Sequence, residues 1–349
     1  MSEIQIAGRK IGTGHPCFVI AEAGVNHNGD MALARKLIDA AATAGAHAVK
    51  FQTFSTEALV TESAPKADYQ ERILGKSESQ FSMLKQLELD RENHFTLRAY
   101  AWERGLMFLS TPFDEGSVDL LVELDVPAFK VSSGDLTNLP LLEKMARTGR
   151  PMIVSTGMGT LEEVDDAVEA IRAAGNPPLV LLQCVSRYPA EPETANLRAM
   201  ATMEQRFGVP VGYSDHTLGI EVPLAAVALG ACMLEKHLTL DCTLPGPDHQ
   251  ASLDPAGFAA LMHGVLAVES SLGNGRKVPT PDEALTAAVA RKSVVSAVDI
   301  AAGEMLTAAA LTIKRPGTGI PPAQRQSLIG RTARVAIPAG TVLTPEMLA

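Results

Sequence analysis

Two lysines stand where lysines are uncommon. Lys50 sits in HAVKFQ (47–52) and Lys130 in AFKVSS (128–133), both within apolar runs, and burying an ammonium there without a partner is expensive. Three uses fit such a lysine: a structural ion pair with Glu22 or Glu235, a site for an anion, or a Schiff-base nucleophile. Ser132, Ser133, Ser155 and Ser214 close nearby runs. Hydroxyls together with ammonium groups are the donors that a phosphate and a carboxylate need. His216 ends PVGYSDH (210–216) and His237 lies in CMLEKHL (232–238). Imidazoles at the ends of adjacent strands suit a shared divalent metal, the alternative being histidines that only hydrogen-bond. Two protein ligands would leave positions open for a substrate oxygen. Asp215 and Glu235 are candidates to fix the imidazole tautomers from behind. His249 in PGPDHQ reads as a loop residue beside Asp248, a candidate hydroxyl binder, while His15, His47, His94 and His263 read as structural.

These groups need a frame that brings them to one place. Eight short apolar runs supply it: 18–23, 47–52, 106–112, 128–133, 152–157, 179–185, 210–216 and 232–238. Helical signals fall between them. The clearest is a capping box, Thr160 and Glu163, followed by Leu161, Val164, Val168 and Ile171 at helical spacing, with Gly175 at the C′ position. A second is Gly219 to Leu229, closed by Gly230. Strands with so little polar alternation are buried on both faces, as parallel strands covered by helices are. The pattern predicts an α/β protein, a (β/α)8 barrel of typical length. Glu22, Lys50, Gln52, Thr111, Lys130, Ser133, Ser155, Ser186, Ser214, His216, Glu235 and His237 all fall at or just beyond the C-terminal ends of those runs, the rim that carries catalysis in this architecture. The segment 53–79, after the second strand, is expected as a partly ordered loop over the barrel mouth.

The chain divides unevenly in charge. Of 349 residues with a net charge of −10, those from Lys277 onward carry eight Lys/Arg and five Asp/Glu. The reading is a barrel over 1–276, a linker over 277–290 within a Gly- and Pro-rich stretch, and a small β-rich domain over 291–349. In that domain AVDIAAGEMLT and RVAIPAGTVLT repeat, with Gly303 and Gly340 37 residues apart, so two related halves are expected. The acidic balance argues against nucleic acid as partner. No apolar run reaches the roughly 20 residues of a membrane span, and the first ten residues do not resemble a secretory signal, which points to the cytoplasm. Cys17, Cys184, Cys232 and Cys242 show no paired spacing and are expected as reduced thiols. No P-loop, G-x-G-x-x-G or G-x-S-x-G motif is present.

AEAGVNHNGD (21–30), VKFQTF (49–54), FKVSSGDLTNLPLL (129–142), STGM (155–158), QCVSRYPAEPE (183–193), GYSDHTLGIEV (212–222), EKHLTL (235–240) and GPDHQASLDP (246–255) together resemble the sialic acid synthase family. Residues 291–307 and 314–322 resemble its C-terminal antifreeze-like (SAF, β-clip) domain. The resemblance implies condensation of phosphoenolpyruvate with an N-acylated mannosamine-type sugar to give a nonulosonic acid. It implies Lys50 at the phosphoenolpyruvate carboxylate, with Lys130, Thr111, Ser133, Ser155 and Ser214 around the phosphate. It further implies His216 and His237 as ligands of a divalent metal, usually Mn2+, with Mg2+ or Co2+ as alternatives. Glu22 and Glu235 become active-site carboxylates, and Gln52, Tyr188 and Asp248 sugar-hydroxyl contacts. Ser186 stands where many members have asparagine at the phosphate. The C-V-S-R-Y-P form is similar to bacterial legionaminic acid synthases, which take a 2,4-diacetamido-2,4,6-trideoxymannose.

Implied too is an Arg315 that reaches over a neighbouring subunit's active site, which predicts a homodimer with exchanged C-terminal domains. Two rivals remain at this stage: a Schiff-base pyruvate aldolase using Lys50 or Lys130, and a non-catalytic sugar-binding protein.

Overall fold

A computed structural model describes residues 3–67, 70–71 and 79–349. The chain separates into two compact units, Met1–Gly273 and Asn274–Ala349.

The first unit opens with an antiparallel hairpin, β1 (Glu3–Ile6) and β2 (Arg9–Gly12), which the reading above does not contain. Ala7 and Gly8 turn it with positive φ at both positions, the two-residue turn that matches strand twist. Eight parallel strands follow: β3 (Phe18–Gly24), β4 (Ala48–Thr53), β5 (Met107–Pro112), β6 (Phe129–Val131), β7 (Met152–Ser155), β8 (Leu179–Cys184), β9 (Val211–Asp215) and β10 (Met233–His237). They are hydrogen-bonded in the order β5-β4-β3-β10-β9-β8-β7-β6, with β5 and β6 side by side at the seam. All eight expected strands are present, alternating with helices, and the barrel is nearly closed.

Alternation along each strand sorts side chains between two cores. Phe18, Ile20, Ala48, Ile153, Leu182 and Met233 point into the barrel, where Ile6 and Ile11 of the hairpin join them and plug its N-terminal end. Val19, Ala21, Val49, Phe51, Val154 and Leu234 pack outward against the helices. The same alternation aims Glu22, Lys50, Ser214, Glu235 and His237 inward. It aims Asp215 and Lys236 outward.

Local chemistry sets the helices. Leu161–Ala174 begins with the expected capping box and buries Val164, Ala167, Val168 and Ile171. Gly175 differs from expectation: its φ is 179°, extended rather than left-handed. Glycine is needed there for space, since a Cβ would sit 2.3 Å from the Ala146 carbonyl oxygen. In the expected loop 53–79, Thr56–Leu59 is a short helix, and another, Gln80–Lys85, follows directly after it; residues 68–69 and 72–78 lie outside the described residues. Among the described residues no helix is long and apolar enough to cross a membrane.

The second unit carries a helix, Pro281–Ala290, within the stretch read as a linker. Thr280 and Glu283 form its capping box and Pro281 stands at N1, a signal that the Gly- and Pro-rich composition hid. Beyond it β11 (Ser293–Ser296) pairs antiparallel with β12 (Leu311–Lys314). The repeat is visible in the pairing: Ile300 and Ile337, equivalent positions of the two halves, exchange both backbone hydrogen bonds at 2.9 Å. Val294, Ile300, Leu306, Leu311, Ile337 and Leu343 form the core of this unit.

Candidate active site

At the C-terminal rim a cavity of about 420 Å3 is lined by Glu22, Lys50, Gln52, Thr111, Lys130, Ser133, Ser155, Ser186, Tyr188, Ser214, His216, Glu235, His237 and Asp248. Every first-unit residue to which the resemblance gives a substrate, metal or catalytic role therefore lines one cavity. Arg315 belongs to the second unit, where it is exposed and follows β12.

The lysines make ion pairs and line the cavity at once. Lys50 Nζ lies 2.8 Å from Glu22 Oε2 and 3.8 Å from Glu235 Oε2, and donates to Thr111 Oγ1 at 2.9 Å. Lys130 Nζ donates to Ser155 Oγ at 2.7 Å and to the Val131 carbonyl at 3.0 Å, with Glu235 Oε1 at 3.4 Å. Two acceptors and a neighbouring carboxylate thus surround one ammonium, while burial lowers the Lys130 pKa from its ordinary value. Ser214 donates to Glu235 Oε1 at 3.0 Å, and Gly157 N–H to Ser133 Oγ at 3.0 Å. A Cβ on Gly157 would come 2.4 Å from Ser186 Oγ, so the backbone approaches both serines as only glycine allows.

The two glutamates differ. Burial pushes the Glu22 carboxyl up to about 7, against the pull of Lys50. Burial acts on Glu235 as well, but Lys130, Lys50 and the Ser214 hydroxyl outweigh it and hold that carboxyl below its ordinary value. At neutral pH the pocket therefore holds a fixed carboxylate balancing two lysines, and a second carboxyl near its midpoint. Burial also raises Asp248, to about 6.

His216 and His237 face each other with ring centroids 5.3 Å apart, and the Tyr188 ring lies 4.0 Å from that of His216. His216 Nδ1 bonds the Val185 carbonyl at 2.7 Å. A carbonyl only accepts, so Nδ1 carries a proton. His237 Nδ1 is buried without a hydrogen-bond partner, and burial followed by the proximity of His216 lowers its basicity far enough to keep the ring neutral. Two facing imidazoles, one of them orphaned in a buried polar wall, fit a divalent cation. Among the described residues no group of three or more His, Cys, Asp or Glu converges on one point, so further ligands would come from substrate or water.

Asp215 and Glu235 do not fix the imidazole tautomers. Glu235 serves the lysines. Asp215 points out of the barrel, where its Oδ2 lies 2.5 Å from Lys236 Nζ, both side chains fully buried, and its Oδ1 accepts from Thr217 N–H at 3.1 Å. The backbone carbonyl of Val185 orients His216 instead, a role that no side-chain pattern could disclose. His249 is no free loop residue: it is fully buried and its Nδ1 lies 2.6 Å from Thr239 Oγ1. Also unforeseen is an apolar wall from Val25, Met83, Leu84 and Leu87, part of a small core with Phe54 and Phe113. The amphipathic run QFSMLKQL after Ser79 was its signal. All four cysteines are free, and only Cys242 is not fully buried.

A (β/α)8 barrel whose catalytic rim gathers two lysines, two glutamates, a ring of hydroxyls and paired imidazoles defines an enzyme acting on small anions. Residues 37–277 match the NeuB family model and residues 291–349 the SAF domain model. The N,N'-diacetyllegionaminic acid synthase of Legionella pneumophila is 45% identical over 339 residues, covering 96% of this chain and 95% of that protein. The human N-acetylneuraminate-9-phosphate synthase is 39% identical over 344 residues, with 98% and 95% covered. The crystal structure of the N-acetylneuraminic acid synthetase of Leptospira borgpetersenii superimposes with a TM-score of 0.72 at 36% identity, covering 82% of this chain and 95% of that one. The chain belongs to the NeuB family, the synthases of sialic, legionaminic and pseudaminic acids, and is an enzyme of that family with a C-terminal SAF domain.

Proposed function

We propose that the enzyme condenses phosphoenolpyruvate with an N-acylated mannosamine-type sugar, releases phosphate, and takes a 2,4-diacetamido-2,4,6-trideoxymannose to give N,N'-diacetyllegionaminate. One observation carries the reaction class: two buried ammonium groups, Lys50 and Lys130, ringed by Thr111, Ser133, Ser155 and Ser214 in a single cavity. That is the donor set for a substrate with both carboxylate and phosphate. The choice of sugar is supported by the Legionella relative and by the C-V-S-R-Y-P run.

In this reading Lys50 and Thr111 hold the carboxylate while Lys130, Ser133, Ser155, Ser186 and Ser214 hold the phosphate. Gln52, Tyr188 and Asp248 contact sugar hydroxyls. A divalent metal, Mn2+ by preference, would be held by His216 and His237 and would polarise the open-chain aldehyde. C3 of phosphoenolpyruvate bonds to the aldehyde carbon, the C=O π pair moves to the aldehyde oxygen, which takes a proton from solvent to become a hydroxyl, and positive charge develops at C2. Water adds there and passes its proton to Glu22, whose raised pKa suits a base at neutral pH. Phosphate then leaves with the C2–O bond's electrons. Glu235 stays ionised throughout and keeps both lysines charged. The barrel's main contribution is orientation and preset charge.

Homodimer formation and an Arg315 that completes the partner's sugar pocket belong to the same proposal, as does a cytoplasmic setting. The deciding experiment compares kcat/KM for N-acetylmannosamine and the diacetamido-deoxy sugar, each with phosphoenolpyruvate, before and after dialysis against EDTA. Full activity after dialysis refutes the metal, and a much higher kcat/KM with N-acetylmannosamine refutes the choice of sugar.

A further inference from the structure

A second cavity, larger than the catalytic one, lies at the other end of the barrel. It encloses about 790 Å3 and is lined by residues that precede or open the strands, among them Phe18, His47 and Met107, with Arg9 from the hairpin and Arg98 and Trp102 from the helix Arg91–Glu103. Phe18 opens β3, whose Glu22 reaches the catalytic pocket four residues later, a separation of roughly 13 Å along the strand.

Its charge is unbalanced. Arg150 is satisfied, with Asp125 at 2.8 Å and the Val126 carbonyl at 2.5 Å. Arg9 and Arg98 make no hydrogen bond or ion pair with any described residue, and the Arg9 guanidinium lies only over the Phe18 ring, 5.3 Å from its centroid. Two uncompensated guanidinium groups face one hollow in a chain of net charge −10.

Aromatic surface accompanies them. Trp102 is 81% exposed, and it stands one helical turn from Arg98, which puts both on the same helix face. His47 stacks on Phe18 with centroids 5.5 Å apart. Its Nδ1 accepts from Val19 N–H at 2.9 Å, so its proton is on Nε2, and burial keeps the ring neutral with a pKa of about 4. The hollow thus offers two guanidinium forks, an imidazole N–H donor and an open indole face. Guanidinium forks recognise phosphate, and an indole face stacks on a planar base.

We propose that this cavity binds a nucleoside phosphate, its phosphate between Arg9 and Arg98 and its base against Trp102. The occupant is bound and not turned over, because the catalytic groups lie at the opposite rim.

Trp102 is the chain's single tryptophan, so its fluorescence, excited beyond nucleotide absorption, reports on this cavity. The full-length protein is titrated with CTP and with ATP, with inorganic phosphate and the free nucleosides as controls, in the presence and absence of saturating phosphoenolpyruvate. The expected result is a saturable emission change with a nucleotide, weaker with phosphate or nucleoside alone and unaffected by phosphoenolpyruvate. Arg98→Ala and Arg9→Ala should each raise the midpoint at least about tenfold. Both arginines are outside the cores, so wild-type melting and turnover in these variants check that the loss is local. The proposal is overturned if neither nucleotide gives a saturable change, if the midpoint in both variants stays at the wild-type value, or if phosphoenolpyruvate abolishes the response.

Discussion

Replacing Lys236 by methionine tests how the outer layer of the barrel holds His216 in place. Lys236 and Asp215 are both fully buried, 2.5 Å apart, and Lys236 also donates to the Thr217 carbonyl. Asp215 accepts from both the N–H and the hydroxyl of Thr217, so the pair brackets His216 on either side. Removing one partner of a buried ion pair leaves an uncompensated charge and costs about 3–5 kcal/mol. For a domain of this size about 2 °C is lost per kcal/mol, hence a fall of about 6–10 °C in the barrel's Tm. Asp215→Asn keeps the acceptor for Thr217 and removes the charge, so the double variant Lys236→Met/Asp215→Asn has no buried ion left in this outer pair and should recover more than half of the loss. Calorimetry of the four proteins measures the cycle, and kcat/KM measured alongside should fall with Lys236→Met through the displaced imidazole. A Lys236→Met protein that melts within about 1 °C of wild type, or a double variant no better than the single, would refute the reasoning.

Three further outcomes follow from the pocket. Because Glu22 titrates near pH 7 in the free enzyme and must be ionised to accept the water proton, kcat/KM should rise with pH through that region. Glu22→Gln should abolish the rise along with most of kcat, and an unchanged profile in that variant would transfer the base to another group. Gly157→Ala puts a methyl group against Ser186 and Ser133; KM for phosphoenolpyruvate should rise about tenfold or more, the loss of about one charge-assisted hydrogen bond, while steady-state assays show kcat less affected. Mixing Arg315→Ala with His216→Ala subunits should restore activity in the heterodimers, and mixed dimers that stay at the level of the single variants would show that Arg315 does not act in trans.

The strands were legible because burial on both faces leaves uninterrupted apolar runs, and the polar residues that end those runs stand out against them. Helix starts were legible where a cap and spacing coincided, as at Thr160. What escaped was information about direction. The letters of SDH place Asp215 beside His216, yet strand alternation turns neighbours to opposite faces, and the aspartate serves Lys236 in the outer layer. That was deducible from period two, given that Ser214 and His216 face inward. The carbonyl of Val185 carries no sequence signal at all, since every residue has one. The hairpin escaped because each of its strands is four residues long, too short for alternation to register.

The pairing inside the second unit has a history written into it. Gly303 N–H bonds the Ala333 carbonyl and Gly340 N–H that of Ser296; Val295 bridges Val342 and Met305 bridges Thr332. Each contact has a twin generated by advancing one residue 37 positions and moving the other back by as many, and Ile300 with Ile337 is its own twin. The unit is thus a pseudo-symmetric pair fused in one chain, as a duplicated ancestral segment that once met a second copy of itself would leave behind. Duplication relieved the chain that joins the copies of any counterpart to match. Arg315 lies on that joining chain, between the repeats, a position with no counterpart in the other half.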